Sequence, residues 1–152
     1  MPGQDFDLQT FLPYLLNQAA EAASRGFQAT YRSRHGLSRT QWRVMANLGR
    51  FGAMTARDIC RISHIEKTRV SRAVAAMEAE GLLTRETSPV DRRAENLSLT
   101  AKGQDLFAEI GRRAIEFDAD LRTRLGPDVA ERLDTILRDI IASAEPAVPD
   151  DD

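Results

Sequence analysis

The apolar residues of this chain change period twice, and nothing else in the sequence constrains the fold as strongly. From Ser38 to Glu80 they recur every three or four positions, the period of helices that bury one face. After Gly81 the period drops to two. Leu83, Arg85 and Thr87 alternate with Leu82, Thr84 and Glu86, and Asn96 to Thr100 alternates again around Leu97 and Leu99. From Thr100 the helical period returns and runs to about Leu125. The charged stretch Ser88–Glu95 parts the two alternating runs, so they read as a two-stranded hairpin with a long tip. Such a hairpin, placed directly after two helices joined by a short turn, is the layout of a winged helix-turn-helix.

Capping residues set the helix boundaries. Phe11, Leu12, Leu15, Leu16, Ala19, Ala20, Ala23 and Phe27 lie at helical spacing in a first segment from Phe6 to about Arg32. Pro13 fits its first turn, where a missing N–H is tolerated. Gly3–Leu8 reads as an extended arm and Arg32–His35 as a charged linker. Ser38 with Gln41 three positions on forms a capping box, and Trp42, Met45, Ala46 and Leu48 give the apolar face of the helix it opens. Gly49 to Gly52 closes that helix. Thr55 caps a short third helix through about Arg61, with Asp58 favourable in its first turn. After a turn at Ile62–Ile65, the fourth helix runs from near Glu66 to Glu80, where Gly81 is the C-cap. Ser63 and Glu66 also have capping-box spacing, which leaves that start open by two or three residues. Thr100 caps a long helix striped by Leu106, Phe107, Ile110, Ala114, Phe117 and Leu121. Gly126-Pro127-Asp128 breaks it and opens a last helix carrying Leu133, Ile136, Leu137, Ile140 and Ile141.

The expected fold is therefore mainly α, an α+β winged helix-turn-helix of about six helices with a two-stranded wing. Residues 1–36 form an N-terminal helical segment, 37–100 the winged domain, 101–145 the C-terminal helices, and 146–152 an acidic, disordered tail. The chain has 152 residues, about one domain's worth, and 42% apolar content is enough for a core. The N-terminus lacks the pattern of a secretory signal, and no apolar run approaches the ~18–20 residues of a membrane span. A single cysteine, Cys60, fits a reducing compartment, so the expected location is the cytoplasm without membrane attachment.

The net charge of −2 hides an asymmetry. Arg32 to Lys102 holds 14 Lys and Arg against 7 Asp and Glu, a net of +7, while the remainder holds 7 against 16, a net of −9. A basic centre between acidic ends suits a phosphate-facing surface on flanks that resist non-specific adhesion to DNA. In the fourth helix, Val70, Ala73, Val74 and Met77 fall on one face and must point inward. Thr68, Ser71, Arg72, Ala75 and Ala79 fall on the other, flanked by Lys67 and Arg69. Small residues, hydroxyls and arginines let a helix sit deep in a major groove, and arginine can hold a guanine edge with two hydrogen bonds. At the hairpin tip, Asp91-Arg92-Arg93 presents two arginines that can reach a narrow minor groove, with the Asp91 carboxylate expected to pin one guanidinium. Taken alone, that tip reads first as a charged solvated turn. Arg85, on the first strand, adds a further cation to the candidate DNA-binding set.

The stretch from Leu37 to Gly103 resembles the MarR family of bacterial regulators. VSRAVAAMEAEGLLTR (70–85) and the wing segment DRR…LSLTAKG (91–103) carry the resemblance most specifically. It implies a homodimer whose first and last two helices form a dimerisation module above two winged lobes. It also implies binding to pseudo-palindromic double-stranded operators, usually as a repressor, with release by a small aromatic or phenolic effector in many members. By the family pattern Arg93 enters the minor groove, Asp91 fixes it, and Arg92 lies nearer a phosphate. Thr68, Arg69, Ser71 and Arg72 match recognition-helix positions.

Two lobes reading half-sites one turn apart bind far better than one, and unpartnered apolar stripes at both ends of the chain favour a two-fold interface. Phe11, Leu12, Leu15, Leu16, Leu133, Ile136, Leu137 and Ile140 are the dimerisation candidates, although the stripes could instead close within one chain. Phe27 and Trp42 are candidates for an effector pocket, with a core role the simpler reading of Trp42. Cys60 reads as a small hydrophobe and not as a sensor. His35 and His64 lack partners at metal-ligand spacing, so no metal or cofactor is expected. Nucleophile-elbow, P-loop and zincin patterns are missing, and no enzyme is expected. The alternative is a winged module for protein interaction that has lost DNA binding; the arginines of the fourth helix and wing argue against it.

Overall fold

The computed structural model describes residues 5–144. The acidic tail expected at 146–152 lies outside them, as do Gly3 and Gln4 of the expected N-terminal arm. The chain divides into two compact units, Met1–Ala114 and Ile115–Asp152.

In the first unit, a 3-10 turn at Leu8–Thr10, capped by the Asp7 carboxylate, precedes helix α1 (Leu12–His35). Arg32–His35 is not a linker but the last turn of α1. Three basic side chains there suit the negative end of the helix dipole, and Gly36, with φ of 68°, ends the helix. Helix α2 (Arg39–Phe51) opens with both halves of the Ser38–Gln41 capping box, and Thr55–Asp58 forms a second box at the start of α3 (Ala56–Ser63). Met54–Thr55 is a short strand, β1, that the sequence did not announce.

His64 turns the chain between α3 and α4 (Lys67–Ala79) in the left-handed region, with φ of 52°. The third capping box expected there, Ser63–Glu66, does not form. The Ser63 hydroxyl accepts from the Asn47 side-chain amide on α2 at 2.8 Å, and the Glu66 side chain makes no cap bond. Gly81, with φ of 73°, then reverses the chain into β2 (Leu83–Thr87).

Strands β2 and β3 (Glu95–Leu99) pair antiparallel, with Leu83 opposite Leu99 and Thr87 opposite Glu95. β1 adds to the far edge of β3, Met54 opposite Leu97, so the sheet has three strands in the order β1-β3-β2 where two were expected. The core beneath gathers Tyr31, Leu37, Met45, Leu48, Ile59, Met77, Leu82, Leu83, Leu97 and Ile110, all essentially fully buried. Each such side chain contributes roughly 1.5–3 kcal/mol by leaving water. Helix α5 (Ala101–Leu125) begins where the Thr100 hydroxyl caps the Gly103 N–H. Gly103 has no substitute there: a Cβ would stand 2.1 Å from the Leu82 carbonyl oxygen.

The second unit holds the end of α5 and helix α6 (Pro127–Ser143), joined at Gly126. Arg122 clasps Asp134 with two hydrogen bonds of 2.8 and 3.1 Å and also bonds Asp118. These two carboxylates raise the arginine's pKa, and the guanidinium holds Asp134 below its ordinary value. No helix among the described residues is long and apolar enough to cross a membrane.

Candidate nucleic-acid interface

Helix α4 is split as its sequence demands. Val70, Ala73, Val74 and Met77 are buried, while Lys67, Thr68, Arg69, Ser71, Arg72, Ala75 and Ala79 are exposed. Among the described residues, no carboxylate forms an ion pair with Lys67, Arg69 or Arg72. A surface helix normally neutralises its cations with acids one turn away. Between Glu66 at the N-cap, which forms no ion pair among the described residues, and Glu78 this exposed face has none, which leaves a cationic strip backed by small side chains.

Glu78 is itself engaged by Arg85 of β2, whose Nε lies 3.2 Å from its carboxylate while Nη1 reaches Glu95 on β3 at 3.4 Å. Arg85 therefore differs from the other cations of the candidate set. It ties α4 to both strands of the wing and is already shared by two carboxylates.

The tip of the wing holds Arg92 and Arg93, both exposed and without an ion-pair partner among the described residues. Asp91 does not pin a guanidinium, as its spacing suggested. Its carboxylate accepts from the backbone N–H of Arg93 at 2.9 Å, so it shapes the turn and leaves the side chain untethered. A carboxylate two residues before an amide closes a local ring with less loss of side-chain freedom than a pair between two long side chains.

The structure adds a feature that sequence reasoning missed. Ser38, Thr40 and Gln41, at the N-terminus of α2, share a pocket of about 320 Å³ with Arg69, Arg72 and Ala73 of α4. The capping box already takes the Ser38 and Gln41 N–H groups, so the Thr40 N–H and the two guanidinium groups are what this pocket offers a phosphate oxygen. Its one sequence signal was the Ser38 cap. The proximity of α4 was invisible until the helices packed. A second pocket, about 330 Å³, lies among α1, α2 and the α3–α4 turn, with Glu21, Arg39, Arg43, His64, Glu66 and Arg69 in its lining. Arg39 bonds Glu21 at 2.6 Å and lowers its pKa, so Arg43 and Arg69 are the cations left for an anionic guest. Arg69 lines both pockets.

Phe27 and Trp42 line neither. Their rings meet edge to face at 5.8 Å, and Trp42 also stacks on Tyr31 and Phe107 against the core. Cys60 is half-buried against the same core, and burial raises its thiol pKa, away from reactivity. The dimerisation candidates are exposed in each unit taken by itself: Phe11, Leu12 and Leu15 in the first, Leu133, Ile136, Leu137 and Ile140 in the second, with Leu16 half-buried. Among the described residues no group of His, Cys, Asp and Glu could hold a metal ion.

A family model for the MarR family matches residues 35–94, from the end of α1 to the wing tip. The solved structure of a MarR family transcriptional regulator from Silicibacter pomeroyi is 31% identical, with a TM-score of 0.79, covering 91% of this chain and 98% of that one. This chain belongs to the MarR family. Its relatives there include the homoprotocatechuate degradative operon repressor of Escherichia coli, 28% identical across 86% of this chain and 88% of that protein. NadR, solved in complex with 4-hydroxyphenylacetate, is 26% identical with a TM-score of 0.79, covering 95% of this chain and 100% of that one. Like these MarR-family relatives, the chain is a DNA-binding transcription regulator, and the family model covers its helix-turn-helix and the wing as far as the tip.

Proposed function

We propose that this MarR-family chain is a cytoplasmic repressor that binds a pseudo-palindromic operator as a homodimer. Each protomer sets α4 in the major groove and the wing arginines in the adjacent minor groove. The observation that carries this reading is the exposed face of α4, where Lys67, Thr68, Arg69, Ser71 and Arg72 stand with no ion-paired carboxylate among the described residues, and a wing tip whose two arginines likewise have none among them. Thr68, Ser71 and Arg72 contact base edges, Lys67 and Arg69 the phosphates, and the α2 N-terminus takes a phosphate beside Arg69. Exposed apolar stripes on the N-terminal segment and α6 supply the dimer interface.

The effector is a small aromatic acid, in this reading. It is supported by the pocket holding Arg43 and Arg69, and by a relative solved with a phenol that carries a carboxylate. Arg69 lies at both the pocket and the DNA-facing side of α4, so a guest carboxylate there would compete with a DNA phosphate for one guanidinium.

Operator fragments selected from genomic DNA provide the test. Arg93→Ala is expected to weaken binding to the selected fragment about tenfold or more while the sedimentation profile stays that of the parent. Unchanged affinity would remove the wing from the mechanism.

A further inference from the structure

The seven residues between β2 and β3, Ser88 to Ala94, form an exposed tip with one buried polar side chain in it. Ser88 is 8% exposed, and among the described residues it is the one polar side chain that is buried. A hydroxyl at the neck of a solvated loop is withdrawn from water only where it has a bonding partner. Ser88 Oγ accepts from the backbone N–H of Val90 at 3.3 Å and of Asp91 at 3.4 Å, long bonds as befits one oxygen shared by two donors. The Ser88 N–H donates to the Ala94 carbonyl at 2.9 Å and closes the neck. Asp91 continues the chain of contacts: its carbonyl accepts from the Ala94 N–H at 3.1 Å, its carboxylate from the Arg93 N–H at 2.9 Å. The network fixes backbone at every step, and among the described residues the guanidinium groups of Arg92 and Arg93 have no ion-pair partner.

We infer that Ser88 is a positioning residue for DNA binding, setting the wing tip so that Asp91 and then the two arginines are held in their binding geometry before DNA arrives. This rests on the reading of the wing as a DNA contact. An arginine on an unconstrained loop loses that loop's freedom on binding, whereas one on a prefixed loop does not. The serine therefore acts on affinity through residues four and five positions away, without touching DNA.

The test is a double-mutant cycle on the full chain, read by fluorescence anisotropy at low salt, where phosphate contacts are strongest and weakened variants can still be titrated. The probes are two duplexes of equal length, one with a central A-tract and one rich in G·C. Ser88→Ala is expected to weaken binding to the A-tract duplex about 3- to 10-fold, the effect of one neutral hydrogen bond, with a smaller effect on the other. Ser88→Asn, whose side-chain oxygen can take the same amides, is expected to restore it. In a chain already carrying Arg92→Ala and Arg93→Ala, Ser88→Ala is expected to change nothing further. The same loss in both backgrounds would place Ser88 in fold maintenance and overturn the inference, as would wild-type affinity in Ser88→Ala alone. If the double arginine variant binds like the parent, the wing reading itself fails and takes this one with it.

Discussion

Neighbours, more than side-chain type, decide what each arginine of this chain does. Arg85 sits between Glu78 and Glu95, and Arg122 between Asp118 and Asp134, while Arg69, Arg72, Arg92 and Arg93 have no ion-pair partner among the described residues. Arg85→Ala is therefore expected to leave the salt dependence of DNA binding unchanged, because its charge is already shared by two carboxylates. Arg69→Ala should lower the slope of log affinity against log salt by about one. Equal slopes for the two variants would return Arg85 to the contact surface. Arg72→Ala should behave differently again, costing about 1–3 kcal/mol at one base position of each half-site and little on random duplex. Affinities for single-base variants of a selected fragment give that reading, and equal losses on random DNA would make Arg72 a phosphate contact. Asp58 is one residue whose effect depends on pH. The Thr55 hydroxyl and amide, with Arg61 nearby, hold its carboxyl below the ordinary value of 3.8. A depressed carboxylate stabilises the fold fully above that ordinary value and ceases to as pH falls through the lowered one. Melting temperature followed from pH 5 to well below 3.8 should drop more for the parent than for Asp58→Asn, the difference opening below 3.8; parallel curves would deny Asp58 that role.

At the scale of whole elements, much of this fold can be read from the sequence, and the failures share one cause. The boxes at Ser38–Gln41 and Thr55–Asp58 are closed by residues three apart, so local spacing suffices to find them. The Ser63–Glu66 box has the same spacing but fails, because Asn47 reaches in from α2 and takes the serine. β1 is two residues long and exists through its pairing with Leu97 and Asn96, partners some forty positions away. The α2 pocket and the double engagement of Arg85 likewise arise where elements meet. Local signals are legible; meetings between elements are not. Asp91 is the instructive middle case, since its partner residue was legible and the partner atom was not. Gly103 shows how tight such a meeting is. Replacing it by alanine puts a methyl against the Leu82 backbone carbonyl, which no rotamer change can relieve. The junction of β2 with α5 must shift, and Gly103→Ala is expected to destabilise the chain by roughly 1–3 kcal/mol, lowering the melting temperature. A melting temperature equal to the parent's would mean that α5 can slide at no cost.

Taken whole, the molecule carries its charge in blocks, a net of +7 over Arg32–Lys102 and −9 elsewhere. Within the first unit, the basic stretch includes the exposed cations of α4 and the wing, Lys67, Arg69, Arg72, Arg92 and Arg93, and a positive field there draws a polyanion before any base is read. One winged lobe offers few phosphate contacts, and the proposed dimer would double them by reading two half-sites about one turn of DNA apart, ~34–36 Å. The proposed interface would draw on apolar surface exposed in the single chain. On α6, Leu133, Ile136, Leu137, Ile140 and Ile141 line one helix and all are exposed. Ile136 and Ile140 are one turn apart, and replacing both by glutamate would set two charges into a desolvated seam without disturbing the buried core of the first unit. The expected result is a chain with the parent's helical circular dichroism that sediments as a monomer. Its affinity for a selected operator should fall by about two orders of magnitude, and its salt slope to about half, because half of the phosphate contacts are lost with the partner. A variant that remains dimeric would move the interface off α6. A monomer that binds as tightly as the parent would show that one lobe is enough, and the dimeric reading of the operator would have to be abandoned.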